Sequence, residues 1–160
     1  MSTELTCYCC SGKLFANCCG PLLVSEQAAQ TPEQLMRSRY SAFVLNNTEY
    51  LKRTWAQEMS PSALDLDNDS HWLKLEILHS KDNRPLQQSG EVEFKAWFVD
   101  KSDAQHRLMC LHELSDFKIE DGHWVYYSGQ LFEVPVSVLT KKQSCPCGSG
   151  KKYKHCCCSD

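Results

Sequence analysis

The chain has 160 residues, 42% of them hydrophobic and 23% charged, with a formal net charge of −3 at pH 7. That is enough for one domain with short appendages, and the balance excludes wholesale disorder, collagen and coiled coil. Eleven cysteines are the anomaly, and ten of them lie in the first nineteen and last sixteen residues.

The N-terminus, Met1-Ser2-Thr3-Glu4, has no basic n-region, and no apolar h-region follows it, so no secretory signal is expected. No stretch nears the roughly 20 apolar residues of a membrane span. With Cys110 alone in the middle of the chain, a secreted disulfide scaffold fails and a cytoplasmic location is expected.

After the first cysteine-rich segment (Cys7, Cys9, Cys10, Cys18, Cys19), helical patterning begins beyond Gly20-Pro21. Thr31-Pro32-Glu33-Gln34 reads as a capping box with Pro in the first turn, and Leu35, Met36, Tyr40, Phe43 and Val44 follow at helical spacing. This helix should end near Asn46-Asn47, and a second, capped by Thr48, carries Leu51 and Trp55 on one face. Arg37 and Arg39 fall on different flanks of the first helix; structural pairing is expected, with anion binding in a pocket as the functional alternative. Asp65-Leu66-Asp67-Asn68-Asp69 invites a calcium reading, but Ser70 stands where the loop needs Gly and Glu76 falls in a strand, so a solvated loop is expected.

From about His71 the period becomes two. Leu73, Leu75 and Ile77 alternate with Lys74, Glu76 and Leu78, and Val92, Phe94, Ala96 and Phe98 alternate with Glu93, Lys95, Trp97 and Val99. The second run ends apolar on both faces, as a central strand does. A third, Arg107 to Ile119, meets Trp124 to Tyr127 through the hairpin signal Asp121-Gly122. Helices followed by four antiparallel strands predict an α+β fold with helices on one face of a curved sheet. Cys110, in the apolar run Leu108 to Leu111, is expected to be a core residue. His71, His79, His112, Glu113 and Asp116 are the available acid–base groups, yet neighbours His112 and Glu113 must face opposite ways, and no catalytic residue is assigned.

The chain closes on Cys145, Cys147, Cys156, Cys157 and Cys158. Residues 145–157 overlay residues 7–19 without a gap: both read C-x-C, eight residues, C-C, with Ser-Gly-Lys and an aromatic residue at matching places. Four thiolates suit a tetrahedral soft-ligand ion, and adjacent cysteines do not suit a disulfide, so each end is read as a metal site. The expected ligands are Cys7, Cys9, Cys18 and Cys19 at one end and Cys145, Cys147, Cys156 and Cys157 at the other. His155 and Cys158 are read as bystanders, and Cys10 as spare or as a substitute ligand. Zn²⁺ is expected at both sites, with iron possible. Residues 21–140 carry a balance of −7 and residues 141–160 one of +4, so the tail suits an acidic partner.

The run from Cys145-Pro146-Cys147-Gly148-Ser149-Gly150-Lys151 to Cys156-Cys157 resembles the SEC-C motif, the zinc module named for the tail of the SecA translocation ATPase. The N-terminal copy departs from it, with Tyr8 for Pro, Cys10 for Gly and no lysine cluster. Cys18-Cys19-Gly20-Pro21-Leu22-Leu23, Leu35 to Val44, Tyr50-Leu51 and Thr54-Trp55 extend the resemblance to the YchJ-like family of bacterial proteins, over nearly the whole chain. The resemblance implies a central domain similar to nuclear transport factor 2 (residues 22–140), a cone of helices on a bent sheet, between SEC-C-like ends (1–21 and 141–160). It also implies a non-enzymatic role in protein interaction, with the SecB chaperone, the ribosome or nascent chains as partners and nucleic acid only through the ribosome. An enzyme or small-molecule binder using the cone is the alternative.

Overall fold

The computed structural model describes residues 5–66 and 68–158. Three helices, α1 (Gly20–Leu23), α2 (Pro32–Val44) and α3 (Thr48–Arg53), precede five strands. These are β1 (Ser70–Asp82), β2 (Ser89–Asp100), β3 (Arg107–Glu120), β4 (His123–Phe132) and the two-residue β5 (Ser137–Val138). The sheet is an antiparallel meander in the order β1-β2-β3-β4, and β5 pairs with the start of β3 beyond the reach of β4. The α+β architecture expected from the periodicities is therefore present, with β5 as an addition too short to leave a pattern. The acidic loop cannot be judged whole, because Asp67 lies outside the described residues.

Local chemistry explains the element ends. The Thr31 side chain accepts from Gln34 N at 3.1 Å, as a capping box requires, while Gln34 Oε1 turns to the N–H of Gln30 rather than of Thr31. The second helix is capped one residue earlier than expected: the side chain of Asn47, not Thr48, accepts from Tyr50 N. At the β3–β4 turn Asp121 and Gly122 both take positive φ (49° and 79°), the paired left-handed geometry of a two-residue hairpin.

The helices cover one face of the sheet. Leu35, Met36 and Tyr40 of α2 pack with Leu75, Val92, Phe94, Ala96, Phe117 and Trp124. By alternation Val99 points to the other face, where it joins Leu73, Leu139, Cys145 and Tyr153 in a second, smaller cluster. Leu73 belongs there because of a bulge: Trp72 pairs with Phe98 and Lys74 with Trp97, leaving Leu73 as the extra residue. Strict alternation would have placed Leu73 and Leu75 on one face, and the bulge separates them. Cys110 is not a core residue as expected; it is half-buried opposite Trp97 and outside both clusters.

Candidate metal centres

Each cysteine-rich end folds as a loop closed by its own backbone. Cys7 N donates to Lys13 O and Cys145 N to Lys151 O, both at 2.8 Å. Cys10 N and Gly148 N reach back to the carbonyls of Cys7 and Cys145, at 3.3 and 3.2 Å. A 3-10 turn follows in each, Phe15–Asn17 and Tyr153–His155, after which Cys18 N and Cys156 N donate to the carbonyls of Phe15 and Tyr153. The sequence repeat is thus a structural repeat at the level of individual hydrogen bonds. One substitution strains it: Cys10 holds φ 59° where the other copy has Gly148 at 81°.

These loops bring both expected sets together. The sulfurs of Cys7, Cys9, Cys18 and Cys19 all lie within 4.8 Å of one another, as do those of Cys145, Cys147, Cys156 and Cys157. Individual separations are 3.7 Å for Cys9–Cys18, 3.9 Å for Cys18–Cys19, 3.5 Å for Cys147–Cys156 and 3.8 Å for Cys156–Cys157. Zn–S bonds of about 2.3 Å would set tetrahedral sulfurs roughly 3.8 Å apart, so both donor sets fit such an ion. Cys10, Cys158 and His155 belong to neither set; Cys10 Sγ instead accepts a long contact (3.5 Å) from Leu75 N on β1.

Electrostatics also favour a cation at each set. Cys19 is pushed up by its contacts with the Cys7 and Cys9 sulfurs and then by burial, while Cys7 is held far below the usual thiol by Cys19 and Cys9. At the other end burial, then the Cys145 sulfur, pushes Cys157 up. Cys147 sits at about 7; burial opposes its ionisation, but hydrogen bonds from the Ser149 hydroxyl and backbone, with Cys145 and Cys156, outweigh it. Four crowded sulfurs cannot all carry charge unaided, whereas a divalent ion lets them. A hydroxyl stands beside each set at the matching place: Ser11 Oγ is 3.4 Å from Cys18 Sγ and Ser149 Oγ 3.2 Å from Cys156 Sγ.

The surroundings differ. Cys7, Cys9 and Cys19 are buried in the same apolar cluster as α2. Along that helix Glu33, Arg37 and Ser41, spaced four apart, face the N-terminal loop: Arg37 takes Glu33 at 2.9 Å and donates to Cys9 O at 2.9 Å, and Ser41 Oγ is 3.9 Å from Cys7 Sγ. The structural pairing expected of Arg37 is therefore present, and Glu33 and Ser41 extend it into a polar stripe toward the cysteine loop. The C-terminal set has Cys145 buried and its other three sulfurs partly open, and is seated on the opposite sheet face by Tyr153 and Leu139. Lys141, Lys142, Lys151, Lys152 and Lys154 around it are all exposed, and none forms an ion pair among the described residues.

Among the described residues, His79, His112, Glu113 and Asp116 do not converge on one site. His112 Nε2 meets Glu93 at 2.8 Å, while Glu113, on the other face, accepts from Ser115 and Tyr126 at 2.7 and 2.8 Å. Asp116 accepts from Ser128 at 3.2 Å, and His79 is exposed. Arg39 is structural rather than ligand-facing: it is 3% exposed, donates to Leu51 O and Thr54 Oγ1, and lies between the Trp55 and Tyr126 rings at 5.0 and 4.9 Å.

Comparison with known proteins agrees with this architecture. Residues 31–129 match the YchJ middle NTF2-like domain and residues 142–157 the SEC-C motif. A UPF0225 protein of Vibrio cholerae is 37% identical over 158 residues, covering 96% of this chain and 99% of its own. One from Photorhabdus laumondii is 39% identical, covering 97% and 99%. Among solved structures, the SEC-C motif containing protein RPA3114 of Rhodopseudomonas palustris superposes with a TM-score of 0.69 at 33% identity, over 81% of this chain and 100% of its own. A SEC-C motif containing protein of Psychrobacter arcticus gives 0.60 at 31% identity, over 99% of both.

Proposed function

Because the chain belongs to the family of UPF0225 proteins built on the YchJ middle domain, we propose that it is a non-enzymatic zinc protein of the cytoplasm whose C-terminal SEC-C module docks on an acidic partner. The carrying observation is the contrast between the ends: five exposed lysines, without an ion pair among the described residues, surround a set with one of four sulfurs buried at one, and a set with three of four buried packs into the core of α2 at the other. Cys7, Cys9, Cys18 and Cys19 would hold one ion, and Cys145, Cys147, Cys156 and Cys157 the second. When bound, the ion cross-links each loop and supplies much of its folding free energy, on the order of 10 kcal/mol. The lysines offset the net −2 of a Zn(Cys)₄ unit and leave positive surface for an acidic partner. SecB is the first candidate, from the resemblance of the tail to that of SecA; the ribosome and nascent chains follow.

Native mass spectrometry with elemental analysis should find two zinc ions per chain, and the C156S/C157S variant should retain one and lose binding to SecB. Binding that survives in that variant contradicts the proposal. Iron in place of zinc would change the ion and keep the ligand sets. The second reading, an enzyme or small-molecule binder in the cone, draws support from a cavity between the helices and the β3–β4 hairpin. Removing residues 141–160 separates the two readings: activity in the cavity should persist and tail-mediated docking should vanish.

A further inference from the structure

That cavity, of about 470 Å³, has a floor of Leu22, Leu35, Tyr50, Trp124 and Val125. Both polar side-chain atoms of the floor are already engaged. Tyr50 Oη bonds the Ser38 hydroxyl at 2.6 Å, and Trp124 Nε1 donates to Gln30 O at 3.2 Å. An occupant therefore meets ring faces and methyl groups below and must bury something apolar. The rim is ionic, with three carboxylates: Glu26, Glu120 and Asp121 stand with His123 and with Arg53, whose guanidinium lies over the Tyr50 ring at 5.2 Å. Glu120 is occupied by Lys118 at 3.1 Å, but Glu26 and Asp121 have no ion-pair partner among the described residues. One wall is the irregular segment Ala28–Ala29, whose amides and Ala29 carbonyl make no backbone hydrogen bond among the described residues.

We infer that this cavity receives an extended peptide segment whose apolar side chain enters between Tyr50 and Trp124 and whose flanking lysine or arginine meets Glu26 and Asp121. The volume exceeds that of one side chain, and the Ala28 and Ala29 N–H groups, with the Ala29 carbonyl, offer both donors and an acceptor to an extended backbone, whereas an ammonium can use only the acceptor. The −7 balance of residues 21–140 favours the same sign of ligand. None of the eight cysteines of the two sets lines this cavity, and no residue of 141–160 does, so the inference stands apart from docking through the C-terminal module.

Fluorescence anisotropy with the full chain tests it, using a labelled peptide carrying Leu-Phe between two lysines, its counterpart with two glutamates, and phenethylamine as competitor. The lysine-flanked peptide should bind about tenfold more tightly at low ionic strength, with the preference shrinking in high salt. The E26Q/D121N variant should cut that preference to about twofold, since two exposed ion pairs are removed. Ala29→Phe, which fills the cavity, should abolish binding; thermal melts check that both variants fold. Equal binding of the two peptides overturns the inference, as does a preference unchanged in E26Q/D121N, or binding of phenethylamine alone.

Discussion

Two residues show how position decides the meaning of a side chain. Arg39, fully desolvated, has its charge disfavoured by burial and drops to about 10, an effect that the nearby Tyr126, Tyr50 and Glu113 only partly oppose. It remains charged at neutral pH and holds α2, α3 and β4 together through two hydrogen bonds and two ring faces. Cys10 is the opposite case: a cysteine in a cysteine-rich loop whose backbone asks for glycine. Left-handed φ costs a residue with a Cβ about 1 kcal/mol or more, and the long contact to Leu75 N returns little of it. Cys10→Gly should therefore raise stability by about 0.5 kcal/mol with the metal content unchanged. Gly148→Ala should lower it by about 1 kcal/mol, because the space around Gly148 is open and only the backbone objects. Urea denaturation with metal analysis reads both, and loss of an ion from the Cys10 variant would make that residue a ligand.

At the scale of elements, the two copies of one loop have been put to different mechanical uses. The N-terminal copy is part of the main core: Cys9 and Cys19 are at most 1% exposed and share a cluster with Leu35, Met36 and Tyr40. The C-terminal copy covers only Leu73, Val99 and their neighbours on the far face. Cys9→Ala should therefore loosen the helical face with the loop and lower the thermal midpoint by about 4–12 °C, roughly the effect of 2–3 kcal/mol in a chain of this size. The C156S/C157S variant should leave far-ultraviolet circular dichroism nearly unchanged; a global loss of structure there would refute the division. Much of this was legible beforehand. The repeat located both cysteine sets, and period-two runs located four strands, because spacing along the chain is itself the signal. The seating of each loop was not legible, since it rests on contacts remote in sequence. Arg37 to Cys9 and Tyr153 beside Leu73 are examples, and the bulge at Leu73 sends that side chain to a face that alternation denies it.

For the whole molecule, the two sites predict an order of metal loss. Each Zn(Cys)₄ unit would add −2, taking the formal charge from −3 to about −7, and the added charge is met differently at the two ends. At the N-terminal set Arg37 and the core cover Cys7, Cys9 and Cys19 and leave Cys18 alone of the four half-open; at the C-terminal set exposed lysines screen the charge but leave Cys147, Cys156 and Cys157 half-open to attack. A chelator must reach a sulfur-bound ion before it can compete, so release from the better-covered site waits more on local unfolding than release from the open one. Mixing the zinc-loaded chain with a chromophoric chelator should give two phases of equal amplitude, separated by about tenfold or more in rate. The fast phase should be absent from C156S/C157S, and the slow one should accelerate in denaturant. If the phase left in that variant is instead the fast one, the N-terminal set is the labile site and its burial under α2 does not protect the ion.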